Sequence, residues 1–315
     1  MNLLRSLSAV ASASGEGAID WGAVADAATD ATDPGSLAFE PGEREAFATD
    51  VREASERIRD TTGLPFPTPS PIEVQDRHHW IEANVDTFQR ALVPLQERPS
   101  LLPGVARRAN TATMATLLAV LGRSVLGQYD PVLFGDGEPR LFFVRPNLVS
   151  AEETLPVEPA RFRRWIAFHE VAHAAEFGAA PWLVDHLEAG IERALDALAD
   201  GRIDAEAVRE LNATMTAVEG YAEFVMDHAF DARSDDLRAA LDARRRSGGP
   251  LMVLVRKLFG LGFKRQQYER GKAFFDHVGA ARGMAAAGVV WRTPETLPRR
   301  DELDDPDRWL DRVDP

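Results

Sequence analysis

Residues 158–177 read EPARFRRWIAFHEVAHAAEF. Phe162, Trp165, Ile166, His169, His173 and Phe177 recur at helical spacing, so one helix is expected over Glu158–Phe177. Within it His169-Glu170-Val171-Ala172-His173 spells H-E-x-x-H. Residues four apart on a helix stand one turn apart on one face, so both imidazoles can reach a single zinc ion. Glu170 is rotated by about 100° from His169, close enough to act on a water held there. A histidine on an apolar stripe is more commonly a satisfied core residue. Two at this spacing, with Glu after the first, need a common partner when buried, and a metal is the simplest.

A catalytic zinc needs a third protein ligand and one open position. Position 179 is Ala, which excludes a third histidine six residues after His173. Pro181–Leu198 reads as a packing helix and Ala205–Phe230 as a long one. On the latter, Glu219 and Glu223 are four apart, on the face of Ala222, Met226 and Phe230. Carboxylates in such company are costly unless paired or metal-bound. No basic residue lies three or four positions from either, which weakens the alternative of two acids on a solvated face. Glu219 is therefore the expected third ligand. Glu223 is the expected acceptor for the remaining N–H of a ligand histidine. The expected catalytic residue is Glu170, and the expected cofactor is one Zn²⁺ on His169, His173 and Glu219. Tyr221, His228, Lys264 and Tyr268 are weaker candidates for substrate or transition-state contact. Lys264 and Tyr268 are four apart and could donate to an oxyanion, although a structural tyrosine is the commoner reading.

Composition narrows the chemistry. The 315 residues contain no cysteine, which rules out disulfides, thiolate-held zinc and a thiol nucleophile. The net charge is -14, which argues against a nucleic-acid partner. The same acidity suits solubility in high salt, so a halophilic source stands beside the blander reading of an acidic cytosolic protein. No stretch approaches the ~20 apolar residues of a membrane span. Met1 to Gly15 is like a short signal core, but Arg5 interrupts it. The protein is read as cytoplasmic, without a membrane or nucleic-acid partner and with a peptide or protein substrate possible; its oligomeric state is left open.

Around the motif the chain reads as α+β, predominantly helical, with a small sheet and a helical lobe. Residues 1–18 are expected as a flexible segment and 19–313 as a single domain. Helices are expected near Asp20–Thr29, Glu43–Thr61, Asp76–Val93 and, nearly apolar all round, 102–128. His78 and His79 are assigned surface or capping roles. A hairpin is expected over 131–145, with strands Pro131–Phe134 and Arg140–Arg145 about a Gly-Asp-Gly turn. Its edge could pair with an extended peptide, the plainer reading being an edge without a ligand. Beyond residue 235, helices are expected at Asp235–Arg246, Leu251–Phe259 and Lys264–Val278, followed by an acidic tail.

H-E-x-x-H with a downstream E-x-x-A-[DE] looks like the Glu-ligand branch of the zincins. Further stretches fit one group. They are Gln128-Tyr129-Asp130-Pro131, Phe142 to Asn147, Glu176-Phe177, Pro181-Trp182-Leu183, Glu219 to Asp227, Lys264 to Gly271 and Trp291 to Pro298. Together they resemble the zincin-like metallopeptidase type 2 family over roughly residues 19–313, some of whose members are associated with biosynthesis of the deazaflavin coenzyme. The resemblance implies a zincin fold, mostly helical with a small sheet, and a metallohydrolase acting on peptides. Its alternative is a non-catalytic scaffold for binding or assembly in deazaflavin coenzyme metabolism. Many zincins carry Asp where this chain has Glu223.

Overall fold

A sheet of three short strands, wrapped by helices on both faces, carries the chain in the computed structural model, which describes residues 2–96, 103–230, 234, 236–240 and 264–315. In order come α1 (Leu3–Ala11), α2 (Trp21–Asp30) and α3 (Glu43–Thr62). Then follow β1 (Ile72–Gln75), α4 (Arg77–Ala91), the single turn α5 (Val93–Gln96) and α6 (Pro103–Gly122). The hairpin strands β2 (Gly127–Asp130) and β3 (Arg140–Val144) lead into α7 (Arg145–Thr154). The site is built from α8 (Pro159–Ala179), α9 (Trp182–Ala199) and α10 (Ala205–Ala229). After these come α11 (Lys264–Arg282), α12 (Met284–Gly288) and α13 (Pro306–Val313).

Local chemistry sets several of these boundaries. Asp20, Asp76, Glu158 and Asp204 each accept from backbone N–H groups of the first turn that follows them, satisfying donors a helix start leaves unpaired. Asp76 also holds His79, Nδ1 to Oδ1 at 2.9 Å, and His78 Nε2 lies 2.8 Å from the Thr32 carbonyl. Within the N-terminal segment 1–18, Leu3–Ala11 form a helix. Asn2 caps α1, and Ser6 donates to the Ala27 carbonyl of α2 at 2.9 Å.

The strand order is β1-β3-β2, with β1 parallel and β2 antiparallel to the central β3. The hairpin differs from expectation on its first arm. β2 lies upstream of Pro131, and Val132 and Phe134 sit at φ 64° and 59°, a left-handed conformation incompatible with a strand. The Asp130 carboxylate accepts from Val132 N at 2.9 Å, and Glu188 accepts from Phe134 N, so side chains satisfy this loop where a ladder would otherwise run. The apolar helix expected over 102–128 correspondingly ends at Gly122, leaving room for β2.

Alternating strand residues point to opposite faces, and β3 serves two cores. Leu141 and Phe143 join the larger, made by α3, α8, α10, α11 and the C-terminal segments; Val144 joins the smaller, made by α2, α4 and α6. α10 and α11 cross at two glycines. A Cβ on Gly220 would stand 2.3 Å from the Gly271 carbonyl carbon, so the backbones touch where a side chain would hold them apart. Residues 236–240 are helical; the rest of the expected Asp235–Arg246 helix and all of Leu251–Phe259 lie outside the described residues.

Candidate metal centre

The motif helix α8 lies between the strand β2 and the helix α10, and its residues divide accordingly. Ile166 and Glu170, four apart, face β2. There the Tyr129 backbone N–H donates to Glu170 Oε2 at 2.9 Å. A Cβ on Gly127 would sit 2.8 Å from Glu170 Cγ and 3.0 Å from Ile166 Cγ2, so Gly127 makes the space the glutamate occupies. Glu170 is only 7% exposed.

His169 and His173 turn toward α10. Their rings stand edge to face with centroids 4.7 Å apart, and Trp165 stacks on His169 from the turn before. Glu219 reaches in from α10, with His173 Nε2 4.0 Å from its Oε2. One donor atom from each of His169, His173 and Glu219 lies within 4.8 Å of the other two. Two imidazoles and one carboxylate make a donor set used by catalytic zinc. The fit is supported by Glu219 Oε2, a buried oxygen with no hydrogen-bond partner among the described residues, a costly state unless something binds it. As whole side chains, His173 and Glu219 remain 14% and 17% exposed.

Glu223 does not support a histidine. Its carboxylate accepts from Arg238 Nε at 2.8 Å, and Arg238 also pairs with Asp227 at 2.6 Å. The carboxylate bonded to a motif histidine is Glu176, whose Oε2 is 2.9 Å from His173 Nδ1 and whose side chain is fully buried. Burial opposes a charge on His173. Glu176, with Glu219 and Glu170, outweighs it and pushes the ring up to about 10 in the metal-free protein. Burial likewise raises the Glu176 carboxyl, against the pull of His173, so the pair retains a proton well above the carboxylate range.

Two of the weaker candidates are engaged in other contacts. Tyr221 is fully buried, its ring edge-on to Phe275 and Trp291, and burial pushes its hydroxyl far up. His228 is bonded through Nδ1 to the Phe224 carbonyl at 2.8 Å, and its offset of nine positions from Glu219 spans about 13 Å of helix. The side chains of Lys264 and Tyr268 lie outside the described residues. Sequence reasoning missed Glu176 and the β2 main chain. The signal for Glu176 was an acid between Ala175 and Phe177, one turn past a ligand histidine.

The family model for zincin-like metallopeptidases matches residues 19–207 and 199–310. A crystal structure from Chloroflexus aurantiacus, described as that of a candidate hydrolase with a novel fold, is 32% identical with a TM-score of 0.79. The match covers 94% of this chain and 99% of that one. No curated protein matches the chain. No helix among the described residues is long and apolar enough to cross a membrane. With H-E-x-x-H on one helix and its third donor on another, the chain belongs to the zincin-like metallopeptidase family.

Proposed function

We propose that the protein is a zinc-dependent peptidase. The observation that carries this reading is the convergence of His169, His173 and Glu219 within 4.8 Å, beside a glutamate held by strand β2. His169, His173 and Glu219 would hold the zinc. Bound there, zinc supplies Lewis acidity, making a water more acidic and polarising a carbonyl. Glu170 acts as general base and then general acid, taking the proton of the attacking water on its carboxylate and delivering it to the departing amine. The Tyr129 N–H orients that carboxylate, and the walls formed by Ile166 and Gly127 limit its rotamers.

Zinc analysis and a peptide-library digest of wild type and Glu170→Gln test this reading together. One zinc per chain, cleavage by wild type, and zinc without cleavage in the variant are expected. A chain without zinc overturns the proposal, and cleavage retained in Glu170→Gln removes the glutamate as base. A wild type that binds zinc and cuts nothing would instead point to a zincin scaffold used for binding or assembly, as in deazaflavin coenzyme metabolism.

A further inference from the structure

We propose that Glu176 is the positioning residue of the metal centre, fixing His173 so that Nε2 and not Nδ1 is presented to the ion. The inference rests on the zinc reading above and concerns a residue that reading does not use.

The two nitrogens of His173 have separate surroundings. Nδ1 is 2.9 Å from Glu176 Oε2, while Nε2 faces Glu219 Oε2 at 4.0 Å. A carboxylate accepting from Nδ1–H fixes the tautomer and the ring plane and makes the opposite nitrogen a better donor. Glu176 is one turn beyond His173 on the same helix, so α8 itself sets their separation. Besides His173, the Glu176 carboxylate is met by the backbone of Ala222 on α10. Its side chain has no exposure, and no Arg or Lys among the described residues forms an ion pair with it. A fully buried carboxylate without a permanent cation costs stability compared with an apolar residue of similar size. Glu223, the other acid near the site, is occupied by Arg238 and provides the control.

The test is zinc affinity by chelator competition at pH 7.5 for wild type, Glu176→Gln and Glu223→Gln, each checked for folding by circular dichroism. Glu176→Gln is expected to bind zinc about 10- to 100-fold more weakly and to shift the visible spectrum of the cobalt-substituted protein. Glu223→Gln is expected to leave both unchanged. Affinity within twofold of wild type in Glu176→Gln overturns the inference and leaves the metal site standing, whereas a wild type that binds no zinc overturns both. Should Glu176→Gln not fold, nitrogen-15 NMR of the wild-type zinc protein gives the answer. Nε2 coordination with a proton retained on Nδ1 supports the inference, and Nδ1 coordination overturns it.

Discussion

Two backbone features help to hold Glu170, the Tyr129 N–H and the missing Cβ of Gly127. The first orients the carboxylate and the second makes room for it. Gly127→Ala would bring a methyl within 2.8 Å of Glu170 Cγ, and the carboxylate must swing away. Displacement of a catalytic group by about 1 Å can cost about a hundredfold in rate. Gly127→Ala is therefore expected to lower kcat by about that factor while retaining one zinc, because His169 and His173 face away from β2. A variant that loses zinc, or keeps full kcat, would show that Gly127 does not set the base. The convergence of His169, His173 and Glu219 was legible in the sequence because i, i+4 spacing and an acid on an apolar helix face are local signals. Glu223 was misread for the opposite reason. A search three and four positions away cannot see Arg238, which arrives from another element 15 residues on.

Helix positions were legible from periodicity and capping residues, and most boundaries differ by only a residue or two. The hairpin was not. Val132, Leu133 and Phe134 look like a strand by composition, but two of them take left-handed backbone angles that side chains of Asp130 and Glu188 stabilise. Such side-chain contacts, one local and one from α9, override β propensity. The crossing of α10 and α11 was equally invisible, although Gly220 beside Glu219 hinted at a close approach. That crossing sets how far α10, and Glu219 with it, leans over α8. Gly220→Ala would place a methyl 2.3 Å from backbone, which no rotamer change can relieve. Overpacking of this kind costs about 1–3 kcal/mol. Chemical denaturation should show that loss, with weaker zinc binding as Glu219 is carried off the histidines. Unchanged stability would mean that the helices separate freely.

Across the whole molecule the unbalanced quantity is charge. Acids outnumber Lys and Arg by 50 to 36. Exposed pairs such as Arg193–Glu210, Arg202–Asp200 and Arg308–Asp301 each contribute about 0–1 kcal/mol and weaken in salt. The largely buried pairs Arg145–Glu43 and Arg312–Glu302 are screened much less. Salt thus removes little attraction but relieves the repulsion of the surplus acids. We propose that this composition is an adaptation to high salt, with Tm at pH 7 rising as potassium chloride is taken to molar concentration. Screening and ion-independent solvent effects can be separated by pH, since the sequence pI is about 5.0. Near that value the net repulsion vanishes, and so should most of the rise. The buried pairs do not confound the comparison. Burial alone would raise Glu43 and Glu302, but bonds from Arg145 and Arg312 hold both carboxyls below their ordinary value. A lowered carboxyl lends stability above its ordinary pKa and loses it only as pH falls through the lowered value, beneath the range compared. A Tm that fails to rise with salt at pH 7 would count against the adaptation, and a rise of equal size at pH 5 would assign it to preferential exclusion of the salt.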